Sequence, residues 1–390
     1  MSSGKPRPPA SRTRWGLAVA LALIAAPVAA SSAGAATHHR RPPPPVVAVG
    51  QPAPGSLTSA TALACADARH CWAVGLSPTG VAIDATFDGG ATWRSEAPPA
   101  GLTVLAGVSC PARSNCLAVG AAGDAGAVAV TDDGGRTWGL GQDPSGAIAL
   151  SALSCPAKDR CLALATDGSA WWAALSVDQG ESWTREGDLP AGMVPASLAC
   201  PGPTRCIAVG STPSTPGRAA GAVALSTDGG ATWAPVTLPT GVGILRAVAC
   251  AAATCIAAGT PSTATTGLVA APGQLVTSAN GGASWTIVPR NLPDDAYGVA
   301  CPEATVCLVV GTDWVGKDPP RPTGAILATL DGGRSWRAAR LRYVPVGVAA
   351  VACPVVDRCL AAGGNVLVTV TLPVHPPPAP APRAGIAGAH

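Results

Sequence analysis

The sequence is poor in aromatic and charged residues. Of its 390 residues, one is Phe, two are Tyr and two are Met, and charged residues make up 12%. Apolar volume must therefore come from Ala, Val, Leu and the 11 Trp. Gly (47) and Pro (40) are abundant instead, and both disfavour long helices. This composition favours many short strands joined by turns, in two ordinary domains or one large all-β domain.

A basic stripe of the kind that binds nucleic acid is also lacking. The N-terminus has the layout of an export signal: basic residues from Lys5 to Arg14, an apolar run at 15–30, and small residues around Ala33 and Ala35. Cleavage would remove four of the 25 basic residues and no acidic one, leaving about one net negative charge. Nucleic-acid binding thus has no electrostatic support. We expect a secreted protein; the alternative is a membrane anchor that stays uncleaved.

The fourteen cysteines form seven closely spaced pairs that recur every 45 to 52 residues. A short apolar run, such as the IAVG at 207–210, follows each pair. In an exported chain this pattern predicts one disulfide per pair. A metal or redox role is disfavoured, because the spacing is not Cys-x-x-Cys and six of the seven units lack a His. The predicted disulfides are Cys65–Cys71, Cys110–Cys116, Cys155–Cys161, Cys200–Cys206, Cys250–Cys255, Cys301–Cys307 and Cys353–Cys359.

A second phrase, STDGGATW at 226–233, recurs in six of the seven units. A short carboxylate in such a phrase accepts backbone N–H groups of a tight turn, and the second Gly suits a positive φ. The carboxylate position is occupied by Asp88, Asp133, Asp178, Asp228, Asn280 and Asp331. The Trp that ends the phrase is Trp93, Trp138, Trp183, Trp233, Trp285 or Trp336. Since Asn280 cannot act as a general base, we interpret these residues as structural, with each Trp filling the gap between neighbouring units.

Each unit has the pattern of four antiparallel strands, and this period is typical of propeller blades. The seventh unit, at 346–373, has only three strands. Counting back from Cys65 places the missing outer strand in VVAVG at 46–50. We therefore predict a single seven-bladed β-propeller at 46–373, closed by an N-terminal strand; the alternative has six blades. The flanking segments are expected to be a signal peptide at 1–35, a Pro-rich linker at 36–45 and a disordered tail at 374–390.

The repeated phrase resembles the Asp-box (BNR) repeat of sialidases, of xyloglucan-cleaving enzymes and of many propellers without enzymatic activity. The resemblance covers roughly residues 60–345 and is closest to exported bacterial propellers. At repeat level the chain is also similar to the propellers that assist photosystem II assembly, which bind protein partners. The resemblance implies that the DGG turns lie opposite the functional face, beside the cysteine turns. Function is then expected among the loops of the other face.

The candidate ligand-binding residues belong to those loops. The loop at 312–324 combines an aromatic side chain with opposite charges, which suits sugar or peptide binding. Trp171 begins a third strand near the same face, and alternation places Trp171 and Trp172 on opposite sides of that strand. Two acids follow outer strands on this face. The candidates are Asp313, Trp314, Lys317, Arg321, Trp171, Asp188 and Asp295.

These observations predict a secreted, monomeric and non-catalytic propeller that binds a protein or carbohydrate ligand, without a cofactor, metal or nucleic acid. The alternative is a sialidase-like or glucan-cleaving glycoside hydrolase in which acids such as Asp188 and Asp295 serve as acid and base. The Arg-Ile-Pro signature of sialidases is absent, and no Gly-x-Ser-x-Gly nucleophile motif is present. No catalytic residue is therefore assigned.

Overall fold

The computed structural model describes residues 45–52, 57–213, 219–261, 273–289, 292, 294–315, 321–342, 344 and 346–373. The predicted signal peptide and tail, and the predicted linker up to residue 44, lie outside these ranges. Every regular element in the described residues is a β-strand. Accordingly, that part of the chain contains no helix long and apolar enough to span a membrane.

The strands form seven sheets, and the first strand of the chain, β1 (Val47–Pro52), belongs to the last of them. Blade 1 contains β2 (Ser59–Cys65), β3 (Cys71–Ser77), β4 (Gly80–Thr86) and β5 (Arg94–Glu96). Blade 2 contains β6 (Val104–Ser109), β7 (Cys116–Ala122), β8 (Ala125–Thr131) and β9 (Gly139–Leu140). Blade 3 contains β10 (Ala149–Ala157), β11 (Arg160–Thr166), β12 (Trp171–Ser176) and β13 (Thr184–Asp188).

The next three blades repeat this antiparallel order. Blade 4 contains β14 (Val194–Ala199), β15 (Cys206–Pro213), β16 (Ala219–Ser226) and β17 (Ala234–Pro235). Blade 5 contains β18 (Val242–Ala251), β19 (Thr254–Pro261), β20 (Gln274–Ser278) and β21 (Thr286–Ile287). Blade 6 contains β22 (Asp295–Ala300), β23 (Cys307–Val315), β24 (Arg321–Thr329) and β25 (Arg337–Ala338). Blade 7 is the sheet β27 (Ala350–Val355), β28 (Arg358–Gly363), β29 (Val366–Thr371), β1 and β26 (Arg340–Arg342).

The N-terminal strand closes the ring, as the sequence predicts. β1 pairs antiparallel with β29 from Val47↔Thr371 to Pro52↔Val366 and becomes the outer strand of blade 7. The amide of Gln51 also donates to the carbonyl of Gly90 in blade 1, at 2.7 Å. The short strand β26, which the sequence did not indicate, adds a parallel neighbour to β1. Seven blades are therefore present, and the six-bladed alternative is wrong.

The hydrophobic core is divided among the junctions between neighbouring blades. Seven buried clusters are present, and each combines side chains of two adjacent blades. At the junction of blades 7 and 1, for example, Trp93 packs with Leu360 and Leu367. Trp138 of blade 2 likewise packs with Trp72 and Ile83 of blade 1. This confirms the predicted role of the repeated Trp in filling the gap between blades.

One rim of the ring carries the disulfides and the DGG turns, and we call it the disulfide face. All seven cysteine pairs are bonded as predicted, and no described cysteine is free. The DGG turn lies against the cysteine turn of its own blade. In blade 1, for instance, the Gly89 N–H donates to the carbonyl of Arg69 at 2.9 Å, and in blade 4 Gly229 donates to Thr204 at 2.7 Å.

The carboxylate of each DGG turn holds both ends of that turn. In blade 4, Oδ1 of Asp228 accepts from the Ser226 hydroxyl at 2.8 Å and from the Thr232 N–H at 2.9 Å. The Thr232 hydroxyl and then its amide hold the pKa of Asp228 at about 2, below the ordinary 3.8. Asn280 accepts through Oδ1 in the same way, while its Nδ2 donates to the Ser284 hydroxyl at 2.9 Å. The amide keeps the same set of contacts, so a charge is not required for them.

Both glycine positions of the turn have a left-handed backbone. At the second position the φ values run from 84° at Gly135 to 103° at Gly230, as expected. The first position looked less constrained in the sequence, because one unit has Gln179 there. The structure gives Gln179 a φ of 66°, close to the 70° to 78° of the five equivalent glycines. The backbone requirement is therefore the same, and Gln179 bears a steric cost that glycine avoids.

Replacement of Gln179 by Gly should increase the free energy of unfolding by about 0.5–1 kcal/mol, since glycine removes the cost of the left-handed backbone. Urea unfolding of the two proteins at equal m-value measures the difference. The control is Gln142→Gly, at an exposed residue without a positive φ, which should be neutral or destabilising. Equal destabilisation by both changes would contradict the argument.

The double change Asp133→Asn and Asp228→Asn should make the protein less sensitive to acid. The Thr137 amide and then its hydroxyl hold the pKa of Asp133 at about 2, as Thr232 does for Asp228. A lowered pKa in the folded state contributes stability above about pH 3.8, and this is lost as the pH falls through 2. Between pH 5 and pH 2, the melting temperature of the variant should thus fall less than that of the parent.

The control for this prediction is Asp132→Asn, because Asp132 is exposed, adjacent to Asp133 and makes no side-chain hydrogen bond in the described structure. This change removes a charge without removing a turn contact. Parallel melting curves for the parent and the double variant across the pH range would show that the DGG carboxylates do not govern acid sensitivity.

Candidate functional site

The face opposite the disulfides carries the hairpins between second and third strands and the connections between blades, and we call it the loop face. Among the described hairpins of this face, the one in blade 6 has the longest paired strands. β23 and β24 are nine residues each, and their pairing continues to Trp314↔Pro322 and Val315↔Arg321. The corresponding strands of blade 1 have seven residues each. The additional residue pairs place the apolar Val315 and the charged Arg321 at the far end of this hairpin.

Reciprocal hydrogen bonds hold this hairpin against the connection from blade 5. The Trp314 N–H donates to Oδ2 of Asp294 at 2.8 Å. In return, the Asp294 N–H donates to Oδ1 of Asp313 at 3.2 Å. The indole N–H of Trp314 donates to Oδ2 of Asp295 at 3.3 Å. Two carboxylates, those of Asp294 and Asp295, thus fix the backbone and the ring of Trp314, although its side chain is not buried.

Trp314 is 40% exposed, and the adjacent Val315 is 49% exposed. We define Asp294, Asp295, Asp313, Trp314 and Val315 as the Trp314 patch. Within it, burial raises the pKa of Asp313; the Asp294 N–H opposes this rise, and the nearby Asp294 carboxylate adds to it. The patch therefore combines concentrated negative charge with an exposed, immobilised aromatic surface.

Other predicted residues of this loop have separate positions. Arg321 is exposed at the far end of the same hairpin, opposite Val315. Lys317 lies outside the described residues. In blade 3, alternation separates the two adjacent tryptophans as predicted: Trp172 is fully buried, whereas Trp171 is partly buried against the next blade. Trp171 contributes to packing and is not part of the Trp314 patch.

The two acids named for a hydrolase mechanism lie in different environments. Asp188, at the end of β13 in blade 3, accepts from Arg185 at 2.8 Å. Asp295 begins β22 in blade 6 and accepts from the Trp314 indole. Blades 3 and 6 are not neighbours in the ring, and no hydrogen bond joins these two described side chains. The structure therefore places these two acids on separate blades with different hydrogen-bond partners.

The axial channel meets the Trp314 patch at Tyr297, which lines the channel and lies beside Asp295. Inner strands of all seven blades line this cavity of about 170 Å³, with Arg246 and Tyr297 among them. The guanidinium of Arg246 lies 5.4 Å from the centre of the Tyr297 ring. Burial, and then the charge of Asp295, raise the pKa of Tyr297, and Arg246 opposes the shift. Polar groups therefore continue from the patch into the channel.

The described residues contain no group of three His, Cys, Asp or Glu side chains arranged to hold a metal ion. The carboxylates of the Trp314 patch are instead occupied by N–H donors of their own loops. In chemical terms, the patch can accept hydrogen bonds, attract a cation and pack against an apolar group.

Comparison with known proteins identifies the fold. No family model and no curated protein sequence matches the chain. Among solved structures, YCF48 bound to a D1 peptide is similar at a TM-score of 0.60 and 17% identity, over 83% of this chain and 94% of YCF48. A streptogramin B lyase is similar at 0.59 and 8%, over 84% and 98% of the two chains.

Two other solved structures are similar at lower TM-scores. The WD40 propeller of Doa1 is similar at a TM-score of 0.54 and 10% identity, over 82% of this chain and 95% of that domain. The GH74 xyloglucanase of Xanthomonas campestris reaches a TM-score of only 0.48, at 14% identity, over 79% and 64% of the two chains, and carries no argument here. At these identities the similarity establishes the fold alone: the chain is a seven-bladed β-propeller.

Proposed function

We propose that this protein is a secreted, non-catalytic binding propeller of the Asp-box type, and that it holds a segment of a partner protein on the Trp314 patch. The observation that carries the proposal is the exposed Trp314, whose backbone and indole are both fixed by carboxylates. An aromatic residue that is immobilised before binding loses little entropy when a partner packs on it. Such residues are typical anchors of protein interfaces.

The charge of the patch indicates the chemistry of the partner segment. Asp294, Asp295 and Asp313 concentrate negative charge beside Trp314 and Val315. A segment with Lys or Arg next to an apolar residue would complement both properties. Arg321 at the far end of the hairpin would in turn pair with an acidic residue of the same segment. We therefore favour a polypeptide over a neutral polysaccharide.

Two further observations support the proposal. The seven disulfides indicate an oxidising environment, which agrees with export. The structural neighbour YCF48 has a D1 peptide bound. We extend peptide binding to this chain as part of the proposal, together with its placement among exported Asp-box propellers.

Replacement of Trp314 by Ala should weaken the binding of a Lys- or Arg-containing peptide by about 30-fold, since a central aromatic anchor contributes about 2 kcal/mol. The probe is a peptide selected on the native protein from a random display library, and calorimetry gives the dissociation constants. The matched control is Leu140→Ala, because Leu140 is 55% exposed on β9 of blade 2. Its binding should be unchanged, and affinity for the native protein should fall as salt increases.

An equal loss of affinity in both variants, or a selected peptide without basic residues, would contradict this assignment. The hydrolase alternative has its own test, in which the native protein is assayed for hydrolysis on a panel of polysaccharides beside Asp188→Asn and Asp295→Asn. We expect no turnover from any of the three. Turnover that disappears in either variant would overturn the non-catalytic function, and polysaccharide binding lost in Trp314→Ala would replace the peptide with a carbohydrate.

A further inference from the structure

Arginines of the cysteine turns connect three pairs of neighbouring blades on the disulfide face. Each precedes the second cysteine of its turn and donates to backbone carbonyls of the next blade. Arg160 reaches Gly229 at 3.0 Å and Pro203 at 3.1 Å. Arg205 reaches Gly281 at 2.8 Å, and Arg358 reaches Ala68 at 2.6 Å. Each of these side chains thus spans from its own cysteine turn to a turn of the next blade.

At the junction of blades 1 and 2 the equivalent residue is His70, and it does not cross to blade 2. Its ring nitrogen Nδ1 lies 2.8 Å from Oδ1 of Asp67 in its own turn. The edge of its ring contacts Phe87, at 5.7 Å between centroids. Phe87 is the single phenylalanine of the sequence. This junction therefore has a pocket with an aromatic wall and no bridging arginine from the cysteine turn of blade 1.

This pocket has a volume of about 290 Å³, and three arginines line it together with His70 and Phe87. Arg94 lies over the Phe87 ring, 4.1 Å from its centre. From beneath, the nearly buried Glu96 accepts from Arg94 at 3.3 Å and so fixes its position. Arg113 and Arg136 come from the cysteine turn and the DGG turn of blade 2.

Most of the guanidinium donors in this pocket are unused. The Nε–H of Arg113 donates to Asp67, and the Arg113 side chain is 74% exposed. The Arg136 guanidinium makes no hydrogen bond or ion pair in the described structure. The two surface carboxylates, by contrast, are already occupied. Asp67 accepts from Arg69, His70 and Arg113, and Asp133 accepts from Thr131 and Thr137. Guanidinium N–H groups without a partner, beside carboxylates that already accept hydrogen bonds, favour the binding of an oxyanion.

We propose that the pocket between blades 1 and 2 is a binding site for an oxyanion group, either a carboxylate or a phosphate, held by Arg94, Arg113 and Arg136. The Phe87 wall accommodates an apolar part of the ligand that carries this group. The site lies on the disulfide face and is independent of the Trp314 patch, so either proposal can fail without the other.

The variant that tests the site is Arg136→Ala. Ala already occupies this position in the DGG turns of blades 1 and 4, as Ala91 and Ala231, so the fold should tolerate the change. The matched control is Arg334→Ala at the same position of blade 6, where Arg334 donates to its own turn at Asp331. The probes are inorganic phosphate and acetate, titrated separately at constant ionic strength and followed by the NMR signals of the arginine Nε–H groups.

We expect saturable binding of at least one anion by the native protein and by Arg334→Ala, and a loss of about 10-fold or more in Arg136→Ala. Saturation by phosphate alone identifies a phosphate-bearing ligand, and saturation by acetate alone identifies a carboxylate. His70→Arg should also reduce binding, because an arginine there can bridge to blade 2 as Arg160 does to blade 4. Non-saturable shifts spread over all exposed arginines, or equal affinity in Arg136→Ala and the native protein, would overturn the proposal.

Discussion

Burial of the two faces of each blade is the constraint on which the rest of this structure depends. A blade has a sheet face on each side, and every hydrophobic cluster is shared with a neighbour. No blade is therefore complete until the ring is closed. Closure depends on a strand from the opposite end of the described chain, because β1 supplies the fourth strand of blade 7. The small residues of this sequence are compatible with such an arrangement, since the repeated Trp provides the bulk at each junction.

The two faces of the ring divide structural and binding roles. On the disulfide face, all seven blades have a cystine, and six of them also have a hydrogen-bonded carboxylate or amide turn. In its described residues the loop face has no such repeated device, and its hairpin strands differ in length from blade to blade. Variation is tolerated there because the scaffold does not depend on it. The Trp314 patch belongs to the loop face. The pocket between blades 1 and 2 lies on the disulfide face, where His70 stands at the position of the bridging arginines.

Repetition explains which features the sequence could predict. The disulfides, the DGG turns, the blade number and the closing strand follow from equal spacings, and all are present. Alternation also predicted that Trp172 would be buried away from Trp171. The contacts of Trp314 with Asp294 and Asp295 depend on how a connection folds back on a hairpin, which no spacing encodes. The bridging arginines were missed too, although Arg160, Arg205 and Arg358 share one position before a cysteine. That position gains meaning only when the neighbouring blade is in place.

The pairing of Val47 with Thr371 has a consequence for how the molecule is presented. Thr371 also lies opposite Arg358, beside the last cysteine turn, so the chain enters and leaves the ring at adjacent points on the disulfide face. A fusion partner joined through either end would be attached on the side of the disulfide face. The Trp314 patch would then lie on the opposite side of the ring. The oxyanion pocket between blades 1 and 2 would lie on the same side as the attached partner, where charged groups of that partner are nearest.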